Sequence, residues 1–210
     1  KKNEPIELLK ITETERLLRQ ANYINDARIF LSNSMDKTDS VDIIIIVHDK
    51  WTIDPTISVG SAGGNLRLRD KNLLGMGHTF EQKVGYYSAT GYRVSGKYSF
   101  SNIRNTFISS DVFYFNSQPT TELGISFQRL FFSPLTKYAG GVYFLKTWGT
   151  FTFYDSIQSR AFNYNLDYYN SDFWIAKSYT PVKGKSIDSR SSKIIGGVRY
   201  ADMKFQSRPS

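Results

Sequence analysis

Two-residue alternation of apolar and polar side chains is the feature that most limits what this chain can fold into. In "GYRVSGKYSF" (residues 91–100), Tyr92, Val94, Tyr98 and Phe100 fall on one side with Gly96, and Arg93, Ser95, Lys97 and Ser99 fall on the other. "TELGISFQRL" repeats the pattern, with Leu123, Ile125 and Phe127 set against Gly124, Ser126 and Gln128. On either side of "LLGMG", Leu66 and Leu68 alternate with Arg67 and Arg69, and Phe80, Gln82, Val84 and Tyr86 alternate with Glu81, Lys83, Gly85 and Tyr87. An extended strand sends successive side chains to opposite faces, so each segment predicts a strand with one greasy face and one charged face.

These signals run from Pro55 onward, with eight or nine strands separated by Gly, Asn, Ser and Pro turns and almost no helical periodicity. The stretches Asp155–Asn170 and Thr180–Ser192 read as long polar connections, in contrast to the tight "LLGMG" turn. Composition changes at the same boundary. Only Tyr23, Phe30 and Trp51 of the 32 aromatic residues lie in residues 1–51. That segment holds 8 Lys/Arg against 9 Asp/Glu, and residues 52–210 hold 19 against 10. Two domains are therefore expected, 1–51 and 52–210. The net charge of +8 is scattered along strands and loops, which does not suggest a nucleic-acid-binding surface.

The first segment reads as a small α+β module. Thr12 to Glu15 matches a capping box and predicts a helix from Glu13 to Ala21. "ARIFLSNS" and "VDIIIIVHDKW" read as strands joined by the polar turn "MDKTDS", and the Lys1–Glu7 end as the remnant of an earlier strand. The uninterrupted run Ile43–Val47 suggests a strand buried on both faces.

Alternation alone does not say which face is wet. A soluble sandwich turns the apolar face inward, whereas a transmembrane barrel turns it outward to lipid around a polar lumen. Three features favour the barrel. Aromatic residues gather near strand ends (Tyr86, Tyr87, Phe113, Tyr114, Phe115, Phe131, Phe132, Tyr168, Tyr169), as in an interfacial belt. The connections differ in length, and a mean hydropathy of −0.38 suits a wall with one polar side. Turning Arg93 or Lys97 toward lipid would cost roughly 2–4 kcal/mol each at the midplane. Hence Arg67, Arg69, Lys83, Arg93 and Lys97 are expected to face a lumen.

"ERLLRQANYINDARI", "DSVDIIIIVHDKWTI" and "LRDKNLLGMGHTF", taken in order, resemble the junction between the last POTRA domain and the barrel in outer-membrane assembly factors of the BamA/TamA superfamily. "ISFQRLFFSPLTKYAGGV" and "GVRYADMKFQSRP" also resemble that family's barrel, and the turn Asn72–Gly77 is part of the match. The resemblance implies a POTRA-like periplasmic domain followed by the N-terminal part of an outer-membrane β-barrel. It also implies insertion of client barrels into the outer membrane without ATP, cofactor or catalytic residue. A client strand would pair with the first barrel strand (Thr56, Ile57, Ser58, Val59, Gly60, Ser61 and Ala62), an edge softened by Gly60, Gly63 and Gly64. Implied partners are unfolded outer-membrane proteins, outer-membrane lipid and periplasmic accessory lipoproteins. Such barrels have sixteen strands, a Val-Arg-Gly-Phe motif and a closing strand with a terminal aromatic. This chain shows about half the strands and neither of the other features, and reads as part of a longer protein.

Other functions find little support. With no Cys, there is no disulfide, thiolate metal site or Cys nucleophile. No apolar run is long enough for a membrane-spanning helix. His48 beside Asp49, and His78 after "GMG", read as solvated positions without a nucleophile or metal-ligand partner at a useful spacing. Asp167 and Asp172 read as part of a Tyr/Asn-rich loop. Neither an enzyme nor a metal site is expected. The rivals are a two-partner-type polypeptide secretion pore, a passive anion-attracting porin and a soluble β-sandwich.

Overall fold

The computed structural model describes residues 5–33, 40–133, 136–155, 160–179 and 193–207. They fall into two compact units divided between Thr52 and Ile53.

Among its described residues the first unit has one helix, α1 (Leu8–Arg19), and two antiparallel strands, β1 (Ile24–Asn33) and β2 (Val41–Asp49), in register from Asp26↔His48 to Asn33↔Val41, with a shift between Ile24 and Asp26. The helix starts before the expected Thr12 cap because Leu8 and Leu9 prolong its apolar stripe. Thr12 lies inside it, with its hydroxyl donating to the Leu8 carbonyl at 3.0 Å. Glu15, the expected capping partner, accepts instead from the Ile29 N–H of β1 (3.0 Å), and Arg19 Nε donates to the Ala27 carbonyl (2.8 Å). These two bonds and the buried Ala27 hold α1 to β1. Pro5–Glu7 carries no strand, residues 1–4 lie outside the described residues, and so does most of the "MDKTDS" turn. The expectation of a doubly buried β2 fails: Ile43 to Val47 are 40–52% exposed. Within this unit β1 pairs one edge of β2 and α1 lies against β1, so among the described residues nothing covers the isoleucine run.

Asp26 gives this unit a pH dependence. Partial desolvation pushes its carboxyl up, but the Ala27 N–H (2.9 Å) and the guanidinium groups of Arg19 (3.1 Å) and Arg28 (3.4 Å) outweigh it and hold the carboxyl below its usual value. A depressed folded-state value contributes stability that is present above the unfolded carboxylate range and is lost as pH falls through the lower folded value. Amide exchange in β1, corrected for intrinsic rates, is expected to accelerate over that acid window, and Asp26→Asn to remove the dependence.

The second unit is a single antiparallel sheet of nine strands in sequence order. They are β3 (Ile53–Gly60), β4 (Gly63–Leu73), β5 (His78–Tyr87), β6 (Gly91–Phe100), β7 (Ser109–Ser117), β8 (Thr120–Arg129), β9 (Tyr138–Asp155), β10 (Arg160–Tyr179) and β11 (Ile194–Ser207). The sheet does not close: β3 and β11 are its two edges. Strands β4 to β8 have nine to eleven residues, the length that crosses a bilayer at a tilt.

Strands β9 and β10 are longer, with 18 and 20 residues. Thr120 of β8 reaches only to Gly149, so Thr150–Asp155 pairs with Arg160–Asn165 as a two-stranded ribbon beyond the neighbouring strands. The expected loop at Asp155–Asn170 is thus mostly strand. Its Phe162, Tyr164 and Leu166 alternate with Asn163, Asn165 and Asp167, a period masked by the Asn/Asp content. Thr180–Ser192 lies outside the described residues.

The connections also sort differently from expectation. All those at the Gly60 end of the sheet (61–62, 88–90, 118–119 and 156–159) are at most four residues long. "LLGMG" lies at the Ile53 end, together with the longer connections 101–108, 130–137 and the one from β10 to β11. The tight "LLGMG" turn thus shares an end of the sheet with the long connections instead of lying opposite them.

Candidate functional site

The register of the ladders assigns every side chain to a face. One row of neighbours runs Ile57, Leu66, Val84, Val94; another runs Phe80, Tyr98, Val112, Ile125, Phe144; a third runs Val142, Phe173, Tyr200, beside Ile175 and Val198. This apolar face crosses all nine strands and nothing in the described residues covers it. Val59 is 86% exposed, Ile57 75% and Val198 72%. The buried apolar residues of the whole described chain are Ile24, Ala27 and Ala139. A sandwich needs a second layer over this face, and the described residues contain none.

The opposite face collects the five cations singled out from the sequence, Arg67, Arg69, Lys83, Arg93 and Lys97, and pairs most of them. Arg67 Nη2 donates to Thr56 Oγ1 at 2.9 Å and stands 3.8 Å from the Asp54 carboxylate. Arg69 forms an ion pair with Glu81, which is also the register neighbour of Lys97. Lys97 Nζ lies 3.2 Å from Asp111, which accepts from the Ser99 hydroxyl at 2.6 Å. Arg93 sits 4.4 Å over the Tyr87 ring. Farther along, Arg199 Nε donates to Asp172 at 2.9 Å. The result is a charge ladder spanning β3 to β7. Its carboxylates, Asp54, Glu81 and Asp111, were not singled out from the sequence, although all three occupy the polar phase of their strands.

The aromatic belt is only half as expected. Tyr86, Tyr114 and Tyr169 share the apolar face, but Tyr87, Phe113, Phe115 and Tyr168 lie on the polar one. Two of the rings there roof glycines of the next strand: Phe113 lies over Gly124, and Trp174 over Gly141, where an added Cβ would stand 2.6 Å from Trp174 Nε1. Charges on the apolar face of β9 and β10 sit beside rings. Lys146 is 3.4 Å from Asp167 and 5.1 Å from the Tyr169 ring, and Lys177 is 5.5 Å from the Tyr138 ring. His78 is not in a loop: it begins β5, its Nδ1 is 2.9 Å from Tyr98 Oη, and its ring packs on Phe100. His48 is an exposed strand residue opposite Asp26. Asp167 and Asp172 lie on β10, on opposite faces.

The facing inverts in the ribbon. Where the lower part of the apolar face carries Val142 and Phe144, its continuation carries Thr150 and Thr152, hydrogen-bonded to Asn165 and Asn163 at 2.7 Å each. The continuation of the polar face carries Phe151, Phe153, Phe162 and Tyr164. Gly149, at φ +146° and pressed against the Pro119 carbonyl, marks the change; a side chain there would be strained.

Of the expected client-pairing residues, Thr56 to Gly60 lie on the edge strand β3, with β4 on one side and no neighbour among the described residues on the other; Ser61 and Ala62 form the turn instead. An open sheet, apolar on one face and ion-paired on the other, has the pattern of a barrel wall. The crystal structure of BamA from Haemophilus ducreyi lacking POTRA domains 1–3 has such a fold, with a TM-score of 0.51 and 12% identity. This chain has a BamA-like barrel fold. The match covers 95% of this chain and 44% of that one, so the chain spans less than half the length of the BamA structure it resembles. At this identity the likeness concerns the fold alone. No protein-family model and no curated protein matches the chain.

Proposed function

We propose that residues 52–210 are part of an outer-membrane β-barrel that assembles client barrels by strand pairing at its β3 edge, with residues 1–51 as a POTRA-like periplasmic unit. The observation that carries the membrane reading is the segregation of faces across β3 to β8, with an apolar side that no described residue covers. Among the described residues β3 has no partner on its outer side, as β11 has none on its own; the pairing reading takes β3, the first strand after the POTRA-like unit, as the edge whose N–H and C=O groups receive an incoming strand. The partners are unfolded outer-membrane proteins and the surrounding lipid, with accessory lipoproteins on the periplasmic side. No catalytic residue, ATP, metal or other cofactor takes part. Pairing of Arg67, Arg69 and Lys97 with carboxylates weighs against an anion-attracting porin, because three of the five expected lumen cations are offset in place.

In this reading the Gly60 end points outward, since the POTRA-like unit precedes β3 at the Ile53 end. The rule of short inner turns and long outer loops would put it the other way. The chain has no native cysteine, so single substitutions decide the matter. On intact cells a membrane-impermeant maleimide is expected to label Ser88→Cys and spare Met76→Cys; the reverse would overturn the orientation. Depletion of the full-length protein tests the activity. Broad loss of outer-membrane barrels is expected, whereas loss of one exported polypeptide would replace assembly by a dedicated secretion pore.

A further inference from the structure

The proposed docking edge is not uniform along β3. Gly60 and Gly63 flank a two-residue turn through Ser61 and Ala62, so they form a hydrogen-bonded pair. Such pairs recur at every second residue of an antiparallel ladder, which gives Ser58↔Asn65, Thr56↔Arg67 and Asp54↔Arg69. The Ser58 carbonyl oxygen, 2.9 Å from a Cβ built on Gly64, has the phase this requires. The alternate residues Ile53, Pro55, Ile57 and Val59 therefore turn their backbone groups to the open edge. One of the four is proline, which has no N–H to donate. On the apolar side Ile53, below the proline, is 44% exposed, and Ile57 and Val59, above it, are 75% and 86% exposed.

We propose that Pro55 sets the lower limit of the docking edge, so that an arriving strand hydrogen-bonds to β3 through Ile57 and Val59 and stops short of Ile53. This rests on the strand-pairing reading above and specifies its register. The occupant is an amphipathic strand of another polypeptide. Because β3 continues both faces of the sheet, with Ile57 and Val59 on the apolar side and Thr56 and Ser58 on the polar side, the arriving strand places apolar residues beside Ile57 and Val59 and small polar ones between them. Proline commonly blunts sheet edges against unwanted pairing; here it blunts only the lower part.

Disulfide trapping in the full-length protein tests this, with single cysteines at Ile53, Ile57 or Val59 against a client barrel carrying single cysteines along one terminal strand. Yields at Ile57→Cys and Val59→Cys are expected to exceed Ile53→Cys several-fold. Pro55→Ala is expected to raise Ile53→Cys to their level. Ile57→Pro moves the block up the strand without breaking the β3–β4 ladder, because the Ile57 N–H is not used there, and is expected to lower trapping at Val59→Cys. Gel mobility of the unheated folded barrel confirms that each variant folds. Equal yields along β3 in the native sequence, or a pattern unmoved by both proline variants, overturns the register inference and leaves strand pairing standing. Absence of trapping at all three positions overturns strand pairing itself and the inference with it.

Discussion

Val84→Arg is expected to abolish or sharply reduce the folded barrel. Val84 is in mid-β5 between Leu66 and Val94, on the apolar face, and is 46% exposed with none of the described residues over it. An arginine facing lipid at the midplane costs roughly 2–4 kcal/mol, a large share of the roughly 5–15 kcal/mol of a typical domain. Ser126→Arg is the matched control. It adds the same side chain to the polar face, next to Asp111, where an opposite charge is already present. Denaturant titration of the full-length protein in lipid bilayers should therefore separate the two variants strongly. Equal losses would mean that the sheet does not distinguish lipid from water in the way proposed.

Gly124→Val should also destabilise the barrel, from the other face. A Cβ at Gly124 would stand 2.5 Å from Phe113 Cε1 and closer still to Cζ, so the ring has to leave its place. Phe113 also stacks near Tyr143, with centroids 6.3 Å apart, so its displacement disturbs β9 as well as β8. Overpacking of this kind typically costs about 1–3 kcal/mol. Phe113→Ala in the same chain should recover part of the loss, because it vacates the volume that valine needs. If the double variant is no more stable than Gly124→Val, the ring and the glycine are not packing partners.

The two faces of β4 to β8 were legible in the sequence because period-2 alternation needs no knowledge of neighbours: Leu66 and Arg67 declare their sides within one strand. What depends on neighbours was not legible. The ion pairs of Arg69 with Glu81 and of Lys97 with Asp111 follow from inter-strand register, which turn geometry sets. Phe113 and Phe115 resembled belt residues because aromatics occur on both faces, and only the register shows one of them roofing a glycine. The Ile43–Val47 run was expected to be buried because composition reports a need for cover, not its presence. Asn163, Asn165 and Asp167 suggested a loop, yet their alternation with aromatic residues is a strand signal of inverted sense.

That inversion has a consequence for where the wall meets its surroundings. If hydrocarbon bathes the apolar face, it must end near Gly149 on this flank, because just above it the same side shows threonine and asparagine. The β9–β10 flank then rises past the bilayer like the taller lip of a slanted chimney. Its aromatic lining is turned toward the mouth, and anything entering from that end would brush against rings before it met the charges deeper in.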